Sequence, residues 1–177
     1  MAENFFEQLS SDLNELLKNN NEYNVIIEVG QAPNIQAFKA HSIILNSRCL
    51  YFKDLLSTMT YNSNHLKIVK LTDISVEVFD IIIMYIYAGT ISLENVNVSV
   101  IFELLISSSE FHLEELTKHV QLFLLENKTS WLRLNFYHVY QASFKDKNLN
   151  NFAQILLLNI QVLYLIQMNS LIFRKIS

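Results

Sequence analysis

Five histidines, one cysteine and a band of carboxylates are the side chains of this sequence that could do chemistry, and their spacing is the first test of whether they do. The histidines stand at His41, His65, His112, His119 and His138. No two of them are four apart on a helix, the spacing that would let both imidazoles hold one metal ion, and no HExxH occurs. His112 and His119, two helical turns apart, share a side but not an ion. A serine nucleophile would need a strained elbow such as G-x-S-x-G, which is missing. Cys49 stands in a stretch with helical periodicity and reads as a small buried hydrophobe. Glu114, Glu115 and Glu126 alternate with Lys118 and Lys128 as a solvated helix face, where an i,i+4 pair such as Glu114–Lys118 is worth a few tenths of a kcal/mol. With 2 Gly and 1 Pro there is no material for a phosphate-cradling loop. The reading is of a non-enzyme with no metal and no cofactor.

The chain that positions these residues is 177 long, 51% hydrophobic and 17% charged, against about 25% charged in an average soluble domain. Such a chain can bury a sizeable core, which excludes global disorder. A net charge of −4 without a run of Lys or Arg argues against nucleic acid as a partner. A single cysteine excludes an internal disulfide framework and a cysteine-based zinc site. The N-terminal MAENFFEQLS has neither the basic nor the apolar region of a secretory signal. A reducing compartment, cytoplasm or nucleus, fits these features.

Residues 4–18 place Phe5, Phe6, Leu9, Leu13, Leu16 and Leu17 at helical spacing, an amphipathic helix of about four turns. Val25–Val29 reads as a strand, GQAPN as a turn, and residues 35–41 as the second strand of a hairpin. Residues 42–59 carry one helical stripe, and 66–71 alternate as a strand. Asp73 or Ser75 can cap the next helix, which Gly89 ends. Thr90–Leu93 reads as a further short strand. Three helices follow, over 98–111, 112–128 and 130–144. The order is α-β-β-α-β-α-β-α-α-α: an α+β class with a small sheet, many helices and then a helical extension.

The segment FKAHSIILNSRCLYFKDLL resembles the signature of the BTB/POZ family, with Phe38, Ala40, His41, Leu45, Arg48, Tyr51 and Phe52 matching and Cys49 in place of the usual Ser. Val78, Phe79, Tyr85, Tyr87 and Gly89 match the family's central helix. Leu104, Leu105, Phe111, Leu113, Leu116 and Leu124 match its closing helix pair. The resemblance covers about 22–125. Residues 127–151 are similar to the start of a BACK-type extension, as in fungal BTB–BACK and BTB–TLDc proteins.

The resemblance implies a BTB fold at 20–126, a small sheet flanked by a cluster of helices, preceded by an N-terminal helix at 1–19. It implies protein–protein association, often as a homodimer, with Phe5, Phe6, Leu9, Leu13, Leu16 and Arg48 at the seam. Many relatives adapt an unidentified substrate protein to a cullin-scaffold ubiquitin ligase; the alternative is self-association or scaffolding with no ligase role. Two positions depart from the family. An Asp that usually pairs with the signature Arg is Asn24 here, so Arg48 must find another carboxylate, such as Glu28, or stay hydrated, since a buried unpaired guanidinium is costly. The hydrophobic-x-Glu motif of cullin binders is missing from the loop before the third strand. Leu55, Met59 and Tyr61 are its contact candidates, with Tyr61 or Asn62 at the acidic position.

Residues 152–177 differ in kind. No acidic residue follows Asp146, and 152–168 is nearly all aliphatic and amide with no clear polar face. Gln154, Asn159, Gln161 and Gln167 interrupt an apolar run shorter than the roughly 20 residues a membrane span needs, so no membrane anchor is expected. Codon freedom permits a frame-shifted reading from Phe152 that restores acids, a proline and a BACK-like helix. The expectation is an aberrant apolar tail on a truncated or frame-shifted BTB–BACK protein.

Overall fold

The structure, a computed structural model, describes residues 5–19, 21–146 and 149–162. By internal contacts it divides into two units, Met1–Thr117 and Lys118–Ser177.

In the first unit β1 (Val25–Val29), β2 (Gln36–Ala40) and β3 (Lys67–Leu71) form a sheet in the order β2-β1-β3. β1 is central, antiparallel to β2 and parallel to β3, with Ile27 opposite both Phe38 and Val69. Val25, Ile27 and Val29 are fully buried, as the two-residue period of a one-faced strand requires. The hairpin closes at Gly30 with φ +91°, where an added Cβ would lie 2.6 Å from the Asn34 carbonyl oxygen; only glycine fits.

Parallel pairing of β1 and β3 needs a crossover. It runs through α2 (Ser42–Arg48) and α3 (Leu50–Thr58). The apolar stripe over 42–59 predicts one helix, but Cys49 between the two is extended (φ −141°, ψ 116°). The break keeps both ends bonded: the Cys49 N–H donates to the Leu45 carbonyl, and the Cys49 carbonyl accepts from Lys53. It leaves Phe52 and Leu56 in the core and Tyr51 stacked on Phe111 with centroids 4.5 Å apart.

α4 (Val76–Ala88) is the buried pillar. The Ser75 side chain caps its start by accepting from the Val78 N–H, and Gly89 ends it in the left-handed region (φ +68°), both as expected. Phe79 packs edge-on to Phe38 and Phe52. Thr90–Leu93, expected as a strand, is irregular; it buries only Leu93 and has no strand partner among the described residues. The Asn97 side chain caps α5 (Val98–Glu110), which adds Ile101, Phe102, Leu104 and Leu105 to the core. α1 (Phe6–Asn19) lies against α4 with no residue fully buried.

Lys118, within α6 (Glu114–Asn127), opens the second unit, which continues through α7 (Thr129–Leu134), α8 (Phe136–Lys145) and helical residues 150–162. The single helix predicted over 130–144 is broken at Asn135, whose N–H closes α7 on the Trp131 carbonyl and whose carbonyl opens α8. Val120, Leu124, Leu132, Val139 and Leu149 are buried. So are Phe152, Ala153 and Leu156, while Gln154, Ile155 and Leu158 are exposed. A helical stripe therefore exists at 149, 152, 153 and 156, where the sequence shows no polar face: an amide or aliphatic residue can take the solvent side as a charge would. The rest of the expected tail, 163–177, lies outside the described residues.

Candidate protein-interaction surface

The signature residues converge on the end of the sheet, where they make structure rather than chemistry. The His41 N–H donates to the Tyr87 hydroxyl at 2.8 Å. The imidazole is buried, with Nε2 2.8 Å from the Asn21 carbonyl and Nδ1 3.0 Å from the same hydroxyl. A carbonyl only accepts, so Nε2 carries the proton and the hydroxyl donates to Nδ1. Burial pushes the Tyr87 hydroxyl up to about 12, against the opposing bond from the His41 amide. Asn24, the departure from the family's Asp, accepts from the Ser42 N–H and donates to the Ser42 hydroxyl, both at 2.8 Å. It caps α2 as a neutral bridge and leaves no carboxylate there for Arg48. The Cys49 thiol is buried, donates to the Phe111 carbonyl at 3.4 Å and is pushed up by burial. It is a poor nucleophile, because the thiolate is the reactive form.

Arg48 stays at the surface. Its Nε donates to the Ile86 carbonyl at 3.0 Å, placing a cation at the C-terminal end of α4, where the helix dipole favours one. Glu28, the carboxylate offered by the sequence, instead lies 3.3 Å from Lys70. The guanidinium lies over Gly89, with Nη2 3.6 Å from the position of an added Cβ.

Arg48 shares a groove of about 750 Å³ with α1, lined by Phe6, Leu9, Leu13, Ala88, Gly89 and Glu115 among others. Phe6 is 68% exposed and Leu9 55%. Phe5 is exposed beside them but outside the groove lining, as is the half-buried Leu16. The structure thus gathers Phe6, Leu9, Leu13 and Arg48, and leaves Phe5, just before α1, and Leu16, on it, outside the groove. It adds residues that the sequence reading misses: Glu7, Ser10, Glu115 and the last turn of α4. Ser10 was legible in principle, being a polar residue inside the apolar stripe. Glu115 accepts from the Tyr85 hydroxyl at 3.0 Å. The Tyr85 hydroxyl is raised first by burial and then by Glu115, with Arg48 pulling the other way.

The second candidate patch is the loop between α3 and β3. Asn62 organises it: its Oδ1 accepts from the N–H groups of Asn64 and Leu66, and its own N–H donates to the Leu66 carbonyl. The sequence offers Asn62 as a stand-in for an acidic contact residue, but its side chain is committed to the turn. Tyr61 is half-exposed, with Lys67 Nζ 4.7 Å from its ring centroid. Lys67 also donates to the Leu56 carbonyl at 2.6 Å, at the C-terminal end of α3. Leu55 and Met59 are partly exposed on the same helix end.

Among the described residues no group of three or more His, Cys, Asp or Glu side chains could hold a metal ion. No described helix is long and apolar enough to cross a membrane.

Comparison with known proteins agrees with this architecture. The profile of the BTB/POZ domain matches residues 13–128. Among solved structures, the BTB domain of zebrafish PATZ1 superposes with a TM-score of 0.57 at 20% identity, covering 72% of this chain and 99% of that one; at that identity the likeness is one of fold. No curated protein matches the sequence.

Proposed function

Because the chain belongs to the BTB/POZ family, a family of protein-interaction modules, we propose that it self-associates as a homodimer through the α1 face, with Arg48 at its edge. The observation that carries this reading is the exposure of Phe5, Phe6 and Leu9 at the start of α1, a helix that buries none of its residues fully. Covering Phe5, Phe6 and Leu9 on two copies stabilises by roughly 6–12 kcal/mol gross, allowing for the area already covered. Association costs about 4–15 kcal/mol. The balance fits a reversible, concentration-dependent dimer. Deleting residues 1–19 lowers the dimer fraction in light scattering on this reading; an unchanged dimer mass rejects it.

The finer reading is an adaptor that brings a substrate protein to a cullin scaffold, with Leu55, Met59 and Tyr61 as the contact and α7 and α8 as the start of a BACK-type extension. The pre-ordered α3–β3 loop supports a contact there. With Asn62 committed internally and no acid beside it, that contact is weak. Scaffolding without a ligase role is the competing reading. The molar mass with and without a cullin N-terminal fragment separates the two.

A further inference from the structure

Resting on the dimer reading above, we propose that the register of the self-contact is set by a reciprocal ion pair, Glu7 of one copy with Arg48 of the other. Both side chains line the α1 groove, both are exposed, and neither makes an ion pair within its own chain among the described residues. Arg48 is held through Nε by the Ile86 carbonyl, and no described residue accepts a hydrogen bond from its two Nη groups. Of the other α1 acids, Asp12 accepts from Gln8 and Glu15 from Asn19. Glu115, the remaining carboxylate of the groove, already accepts from Tyr85. Among the described residues Glu7 is therefore the groove's uncommitted anion, one position from Phe6 and two from Leu9. If a second copy covers that stripe about a two-fold axis, each copy brings one Glu7 and one Arg48 to the seam, and the pair forms twice.

Mixing opposite charge variants tests this, because exchange between chains is the one arrangement that mixing can repair. In Glu7→Arg alone, or Arg48→Glu alone, both pairs become like-charged, and the homodimer weakens by on the order of tenfold for two partly exposed pairs. An equimolar mixture of the two variants restores both attractions, so native mass spectrometry, which resolves the variants by mass, should find mainly the mixed dimer. A statistical 1:2:1 distribution, or single variants that dimerise like the parent, overturns the pair while leaving the dimer standing. Rescue by the double variant E7R/R48E without preference in the mixture places the pair within one chain and also overturns it. A parent chain that is monomeric at all concentrations refutes the dimer reading itself. Should R48E fail a thermal-melting check, R48Q mixed with E7R gives the same preference at smaller size, and its absence is equally decisive.

Discussion

The Ser10 hydroxyl donates to the Ala88 carbonyl at 2.7 Å, tying the middle of α1 to the last turn of α4 at a carbonyl with no continuing helix to bond it. The apolar stripe of α1 is thereby held beside Arg48 and Gly89 rather than collapsed into the core. Ser10→Ala should cost about 0.5–1.5 kcal/mol at this part-buried contact. Hydrogen exchange should show it as faster opening of 6–19 alone. Unchanged exchange there would mean that apolar packing on its own positions the helix.

Tyr87 and His41 supply an alkaline limit. The neutral hydroxyl is favoured in the fold, so its stability contribution is intact below the ordinary tyrosine value of 10.0 and declines as pH rises toward about 12. At 1.36 kcal/mol per pKa unit, the decline is about 2–3 kcal/mol. Urea unfolding at rising pH should therefore fall more steeply for the parent than for Tyr87→Phe. At neutral pH that variant should be about 1–3 kcal/mol less stable, because it strands the His41 N–H and leaves Nδ1 without a donor. Parallel pH profiles would contradict this.

Much of the first unit was legible. β1, β2 and β3 follow from alternation, and α4 from its Ser75 and Gly89 ends, because each signal is local. Breaks at Cys49 and Asn135 were not legible, since a single non-helical residue hardly disturbs a 3.6-residue stripe. Thr90–Leu93 has strand composition, but a strand exists only where a partner edge is available. The place of Arg48 depended on Asn24, Ser42 and Lys70 together, a three-body outcome that no pairwise sequence rule contains. The α1 stripe was plain in the sequence, while its neighbours in the groove, Glu115 and the last turn of α4, were brought there by tertiary packing.

The two glycines should respond differently to alanine. Gly89→Ala meets only the Arg48 guanidinium at ordinary contact distance and bears the left-handed penalty, about 1–2 kcal/mol. Gly30→Ala adds a collision with the Asn34 backbone at 2.6 Å and should be clearly worse. Thermal melting that ranks them the other way would show the hairpin turn to be adaptable.

For the α3–β3 loop, Tyr61→Ala should weaken binding to a cullin N-terminal fragment by more than about 1 kcal/mol if the ring is an anchor. Asn62→Ala should do at least as much by releasing the turn, although Asn62 touches no partner. Neither should change the molar mass of the chain alone. Calorimetry that detects cullin binding unaffected by both substitutions would move the contact elsewhere.

The most direct measurement is the molar mass of the intact chain by sedimentation equilibrium across a concentration series, beside Phe6→Asp/Leu9→Asp. Both positions are exposed, so the fold should survive, as circular dichroism can verify. The parent should approach twice the 20.7 kDa of one chain with rising concentration, and the double variant should stay at the single-chain mass. A parent that remains at one chain mass throughout, or a double variant that dimerises as the parent does, would contradict association through α1.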